Sequence, residues 1–230
     1  MTPRQNSRIA GFTFLFYIAV GIAQSVIGRG ASAGTAPADR LASISRHAAQ
    51  VQVNSFLGLV TALTALTLAM ALYGLTRDED IDLAAFALSC RIGEGLLGVV
   101  PSIASLALLS LAGSASTGAM ETAAMATVLF RVRTLSTLVG SLFFAAGSTV
   151  FAYLLLEGRL IPRGLAWLGV VSSLLLVIAL PLQLYGMLSD VITQLIWLPM
   201  AAFEIPLGVW LLIRGVVEPR RQPATSRGAR

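Results

Sequence analysis

Apolar and polar positions in this chain separate on the scale of whole helices rather than single turns. Six stretches run through about 20 or more mostly apolar residues, the length that crosses a hydrocarbon layer of about 30 Å. They are residues 9–27, 51–75, 83–111, 135–156, 165–187 and 191–213. Lipid offers no partner to an open backbone N–H or C=O, so each stretch must be a helix. The pattern predicts an all-α, polytopic membrane bundle of six transmembrane helices. Residues 1–216 form a single membrane domain, and 217–230 form a disordered, basic cytoplasmic tail.

The hydrophilic gaps refine this picture. The longest lies between spans one and two and opens on the small residues Gly30-Ala31-Ser32-Ala33-Gly34. After Pro37 and Asp39, apolar residues recur at Leu41, Ile44, Ala48 and Val51. That helical spacing predicts a short amphipathic helix on the outer surface before span two. A second long outer connection is expected to open at 113–118, rich in Gly and Ser. No internal repeat emerges, and so no inverted-repeat transporter signature.

Composition agrees with a chain solvated by lipid. Of 230 residues, 56% are hydrophobic and 12% charged, against roughly 25% charged in a soluble domain, and the mean hydropathy is +0.82. A soluble enzyme, a disordered chain and a coiled coil are excluded. One Cys and one His leave no intrachain disulfide, and no metal site or haem ligation is expected.

Every basic residue is Arg, and the arginines sit in the gaps and at the C-terminus rather than on a face interleaved with aromatics, so nucleic acid is not an expected partner. Their distribution sets an orientation instead. With the N-terminus inside, Arg4, Arg8, Arg77, Arg159, Arg163, Arg214, Arg220, Arg221, Arg227 and Arg230 are cytoplasmic, and Arg29, Arg40 and Arg46 are outside. Arg131 and Arg133, at the outer end of span four, do not change the balance. The positive-inside rule then puts both termini in the cytoplasm. The first apolar run exceeds the roughly 7–15 residues of a signal-peptide core, so an uncleaved first helix is expected. Trp167, Trp197 and Trp210 lie within a few turns of span ends, as an aromatic belt requires.

Several short motifs carry a resemblance. Leu72-Tyr73 closes span two, and Arg91-Ile92-Gly93-Glu94 lies in span three. Glu157-Gly158-Arg159-Leu160-Ile161-Pro162-Arg163-Gly164-Leu165 leads into Leu168-Gly169, and Glu204 precedes Val209-Trp210-Leu211-Leu212-Ile213-Arg214-Gly215. In this order and spacing, over roughly residues 8–216, the chain resembles a bacterial family of six-helix integral membrane proteins known only as a domain of unknown function. The resemblance implies six helices and a bacterial plasma membrane, and brings no activity, substrate or catalytic residue. Where that pattern often has an aromatic before the Arg of span three, this chain has Cys90.

The chemistry concentrates in three ionisable residues inside spans: Arg91, Glu94 and Glu204. Each costs about 2.5–3.5 kcal/mol on insertion scales, which makes it a functional candidate by default. At about 1.5 Å per residue all three fall roughly 12–16 Å from the cytoplasmic surface. Arg91 and Glu94 share a helix face with Gly98, Pro101 and Ser105. Span six carries Gln194, Ala201, Glu204 and Gly208 on one stripe, and span two carries Asn54, Gly58, Thr61 and Ala65 at small-residue packing spacing. The expected site sets Arg91 between Glu94 and Glu204, with Asn54, Ser105 and Gln194 as lining. Two carboxylates and one guanidinium leave a surplus negative charge, to be met by a proton or a cationic ligand.

Three functional readings stand at this point. In the first, the site binds or moves a small molecule or proton. In the second, the protein is structural or accessory and Arg91 with the two Glu residues only clamps helices three and six. The third, an intramembrane enzyme, needs Ser89 or Cys90 near Glu94 and has no His within a span to act as base; it is the least expected, and no catalytic residue or cofactor is assigned. His47 and the Arg131/Arg133 pair read as surface groups, the latter placed to snorkel or to hold phosphate or lipid headgroups. The expected partners are the bilayer and a small ligand or proton, and the small-residue faces allow a homo-oligomer.

Overall fold

The structure, a computed structural model, describes residues 3–113 and 119–216. The expected tail at 217–230, and all but Gly113 of the expected Gly/Ser-rich connection, lie outside the described residues. Eight helices and no strand occur among those residues: α1 Pro3–Ile27, α2 Pro37–Arg46, α3 Ala48–Thr76, α4 Ile81–Gly113, α5 Ala119–Glu157, α6 Arg163–Leu184, α7 Asp190–Leu195 and α8 Leu198–Ile213. Six spans are long and apolar enough to cross a membrane, and the protein is a multi-pass membrane protein.

The spans close into a ring in chain order. Helix α1 packs on α3, α3 on α4, α4 on α5, α5 on α6, α6 on α8, and α8 returns to α1. Small residues set the closest approaches. A Cβ at Gly11 would fall 2.7 Å from the Gly208 carbonyl and 2.8 Å from the Leu212 Cα, so the α1–α8 seam is a backbone-to-backbone contact of the kind small residues allow. On the outside of the ring Phe56, Leu63, Leu96, Ile103, Val171 and Ile178 stand exposed, the surface lipid would solvate.

Both ends of the bundle are organised. At one, the Ser7 hydroxyl accepts from the Val216 N–H at 3.0 Å, so the described parts of the N- and C-terminal segments meet on one face. At the other, α2 lies across the bundle, as its amphipathic spacing predicts. It buries Leu41, Ser43 and Ile44, and Leu41 and Ile44 join a small cluster with Val51, Leu108, Ala126 and Phe130.

One expectation needs correction. Span four does not begin at residue 135: α5 starts at Ala119 and runs 39 residues, about 58 Å of helix. No Pro or Gly interrupts the sequence from Ala119 to Gly140, and the extra turns bury Ala126 and Phe130 under α2. A window of mean apolarity misses them because they are helical without being apolar throughout. Span six covers Val191–Ile213 as expected, with a turn at Ile196 and Trp197 between α7 and α8. Both residues keep right-handed helical dihedrals, and Pro199 has no N–H to give the Leu195 carbonyl. Pro101, Pro181 and Pro206 lie inside continuous helices.

Candidate functional site

Helix α4 carries the Arg91–Glu94 pair one turn apart, and the Arg91 Nη1 meets the Glu94 Oε2 at 2.8 Å. Both residues are buried, Arg91 to 2% exposure. The guanidinium lies over the Phe144 ring of α5, its Cζ 4.8 Å from the centroid. Gly147, one turn further along α5, lets the helices approach this closely: a Cβ there would meet the Ala87 carbonyl at 3.1 Å and the Arg91 Cγ at 3.2 Å. Arg91 is thus locked by an ion pair on its own helix and an aromatic face on the next.

The other Glu94 oxygen, Oε1, accepts from the Tyr17 hydroxyl of α1 at 3.1 Å. Tyr17 did not figure among the sequence candidates. The signal available was a polar stripe of Thr13, Tyr17 and Gln24 along span one, overlooked because none of the three is charged at neutral pH.

Glu204 of α8 is also buried, at 8% exposure, yet it has no hydrogen bond and no ion pair among the described residues. Arg91 and Glu94 lie near enough to act on it electrostatically, but the Arg91 charge is already matched by Glu94. No ion pair joins α4 to α8 among the described residues.

Glu94, Glu204 and Tyr17 line one cavity of about 380 Å³ between α1, α3, α4, α5 and span six. Its wall alternates small and hydroxyl-bearing side chains with aromatics: Gly98, Thr61, Ser102, Ser136, Phe144 and Trp197 among them. The Thr61 hydroxyl donates to Gln24 Oε1 at 2.8 Å, which ties α1 to α3 along this wall. Trp197, at the turn between α7 and α8, lines the cavity and packs on Phe144 with centroids 5.9 Å apart.

The remaining expected lining residues fall differently. Asn54 and Ser105 lie one turn beyond the cavity, around a narrow space of about 20 Å³ shared with Gly28 and Arg133. Gln194 is exposed on α7 and is not part of the cavity wall. Ten residues at about 100° each set Gln194 and Glu204 roughly 80° apart around a helix, so the two do not share one face. Ser89 is exposed and its hydroxyl donates to the Ala85 carbonyl at 2.8 Å. Cys90 is buried and packs towards Gly147. His47 joins α2 to α3, its Nδ1 2.9 Å from the Ser43 carbonyl oxygen. No group of three His, Cys, Asp or Glu side chains suited to a metal occurs among the described residues.

Compared with known proteins, residues 9–215 match the family model described as Domain of unknown function (DUF4386). No curated protein and no solved structure matches the chain.

Proposed function

The chain belongs to the DUF4386 family, a domain of unknown function, and on that premise we propose that it binds a small, cation-bearing molecule in the cavity beside Glu204. The observation that carries this reading is the state of that carboxylate: buried, facing a cavity of about 380 Å³, and without an ion pair or hydrogen bond among the described residues. A carboxylate withdrawn from water must be met by a proton or a cation, and its neighbour Arg91 is committed to Glu94. The cavity volume falls within the roughly 300–1,000 Å³ of small-molecule sites. Trp197 adds an aromatic face on which an ammonium group can rest, and the hydroxyls of Ser102, Ser136 and Ser141 add polar contacts on the opposite walls.

The clamp reading is less well supported, because the Arg91–Glu94 pair lies within one helix and ties nothing to α8. The reading takes the membrane to be a bacterial plasma membrane with both termini cytoplasmic, on the family resemblance and the arginine distribution.

Native mass spectrometry of the gently extracted protein, wild type beside Glu204→Gln, tests the proposal. A small molecule retained by the wild type and lost from the variant is the expected result, and its mass identifies it. Two bare proteins of equal stability would overturn the binding reading.

A further inference from the structure

A second site lies at the α2 end, away from Glu204. Arg40 of α2 and Arg131 of α5 flank a groove of about 330 Å³ lined also by Pro37, Thr127, Phe130, Thr134 and Leu135. The Arg40 guanidinium is fixed there, its Cζ 3.7 Å from the Phe130 centroid. Arg133 stands behind the groove, facing the narrow space at Asn54 and Ser105 and near enough to Arg40 for the two charges to repel. None of the three arginines has an ion pair among the described residues, and neither does Asp39, which shares a helix with Arg40. Three guanidiniums gathered without a counter-charge are stable only if something anionic or much water lies among them.

Depth narrows the choice of anion. Along α5, Arg133 lies roughly 36 Å from Glu157 at about 1.5 Å per residue, just past a hydrocarbon layer of about 30 Å. The groove therefore sits at the level of lipid headgroups. Its flank is apolar and outward-facing, with Val128, Val132 and Leu135 exposed beside it, which suits an acyl chain running down α5. The Thr127 and Thr134 hydroxyls donate to backbone carbonyls of their own helix, at 2.8 and 3.0 Å. Their oxygens are left as acceptors for a headgroup that itself carries hydroxyls.

We propose that this groove binds the phosphate of an anionic lipid headgroup, or free phosphate, between Arg40 and Arg131, with a glycerol-type headgroup hydroxyl turned to Thr127 and Thr134. Guanidinium forks match phosphate oxygens in pairs, and the neighbouring charge of Arg133 strengthens the site without needing to touch the anion.

The test is native mass spectrometry of the full chain in mixed micelles holding equal phosphatidylglycerol and phosphatidylcholine. The expected result is retention of phosphatidylglycerol about thirtyfold over phosphatidylcholine, given roughly 1 kcal/mol for each of the two arginines at an anionic surface. The preference should vanish in Arg40→Gln/Arg131→Gln and persist in Arg4→Gln/Arg8→Gln at the opposite end. Arg131→Gln alone removes an exposed side chain without a pairing partner among the described residues, so it should fold normally and still lower the preference at least threefold. A delipidated protein stabilised by inorganic phosphate over chloride at equal ionic strength would assign the site to the free anion instead. Equal retention of both lipids with no phosphate effect, or a preference unchanged in Arg131→Gln, would overturn the proposal.

Discussion

Arg91 and Glu94 neutralise each other within a single turn of α4, Nη1 to Oε2 at 2.8 Å, and this pairing leaves Glu204 across the bundle as an unmatched carboxylate. The consequence is a division of labour between two acidic residues of similar depth. Glu94 balances a buried guanidinium and is held by Tyr17. Glu204 faces the cavity with no direct partner among the described residues.

Removing one member of the buried pair should therefore cost more than removing both. Arg91→Met strands Glu94 and is expected to destabilise by about 3–5 kcal/mol. Arg91→Met/Glu94→Leu should recover at least half of that loss. Denaturant titrations of the purified variants measure the difference, and a double variant weaker than the single would contradict the pairing.

Glu204→Gln should behave in the opposite way. With no ion pair or hydrogen bond to lose among the described residues, it is expected to leave stability within about 1 kcal/mol of wild type, or to raise it by removing a buried charge. A fall comparable to that of Arg91→Met would show that Glu204 bears structural weight.

Two glycines should separate packing from cavity. Gly11→Ala drives a methyl into the α8 backbone and should destabilise by about 1–3 kcal/mol. Gly98 lines the cavity, and a Cβ there meets nothing within 4 Å. Gly98→Ala should gain about 0.5–1 kcal/mol in helix propensity. Thermal melts in one detergent rank the two, and equal losses would contradict the seam.

Topology can be read by labelling. In a Cys90→Ala background, Asp39→Cys should react with an impermeant maleimide in intact cells, and Arg159→Cys only after permeabilisation. The reverse pattern would invert the orientation drawn from the arginines.

Much of the fold was legible because its causes are local. An apolar run in lipid has no alternative to a helix, and the spacing of Leu41 and Ile44 was enough to place α2. The start of α5 was missed because helix propensity, not apolarity, sets it. The turn in span six is not marked out in the sequence, because Pro101, Pro181, Pro199 and Pro206 all lie within spans and only Pro199 stands beside a turn.

The site divides along the same line. Composition and position alone marked Arg91, Glu94 and Glu204, since a charge inside a span is costly wherever it occurs. Which carboxylate takes the guanidinium could not be read from spacing. That depends on how each helix is rotated and on how Gly147 lets α5 close on α4. By itself the sequence determined the number of spans, the amphipathic α2 and the charges buried in the bilayer, because burial in lipid acts on each segment separately. The tertiary structure alone decided that Tyr17 joins Glu94, that Trp197 turns to the cavity, and that Glu204 has no direct partner among the described residues, because contacts between helices are fixed by the packing of side chains distant in the chain.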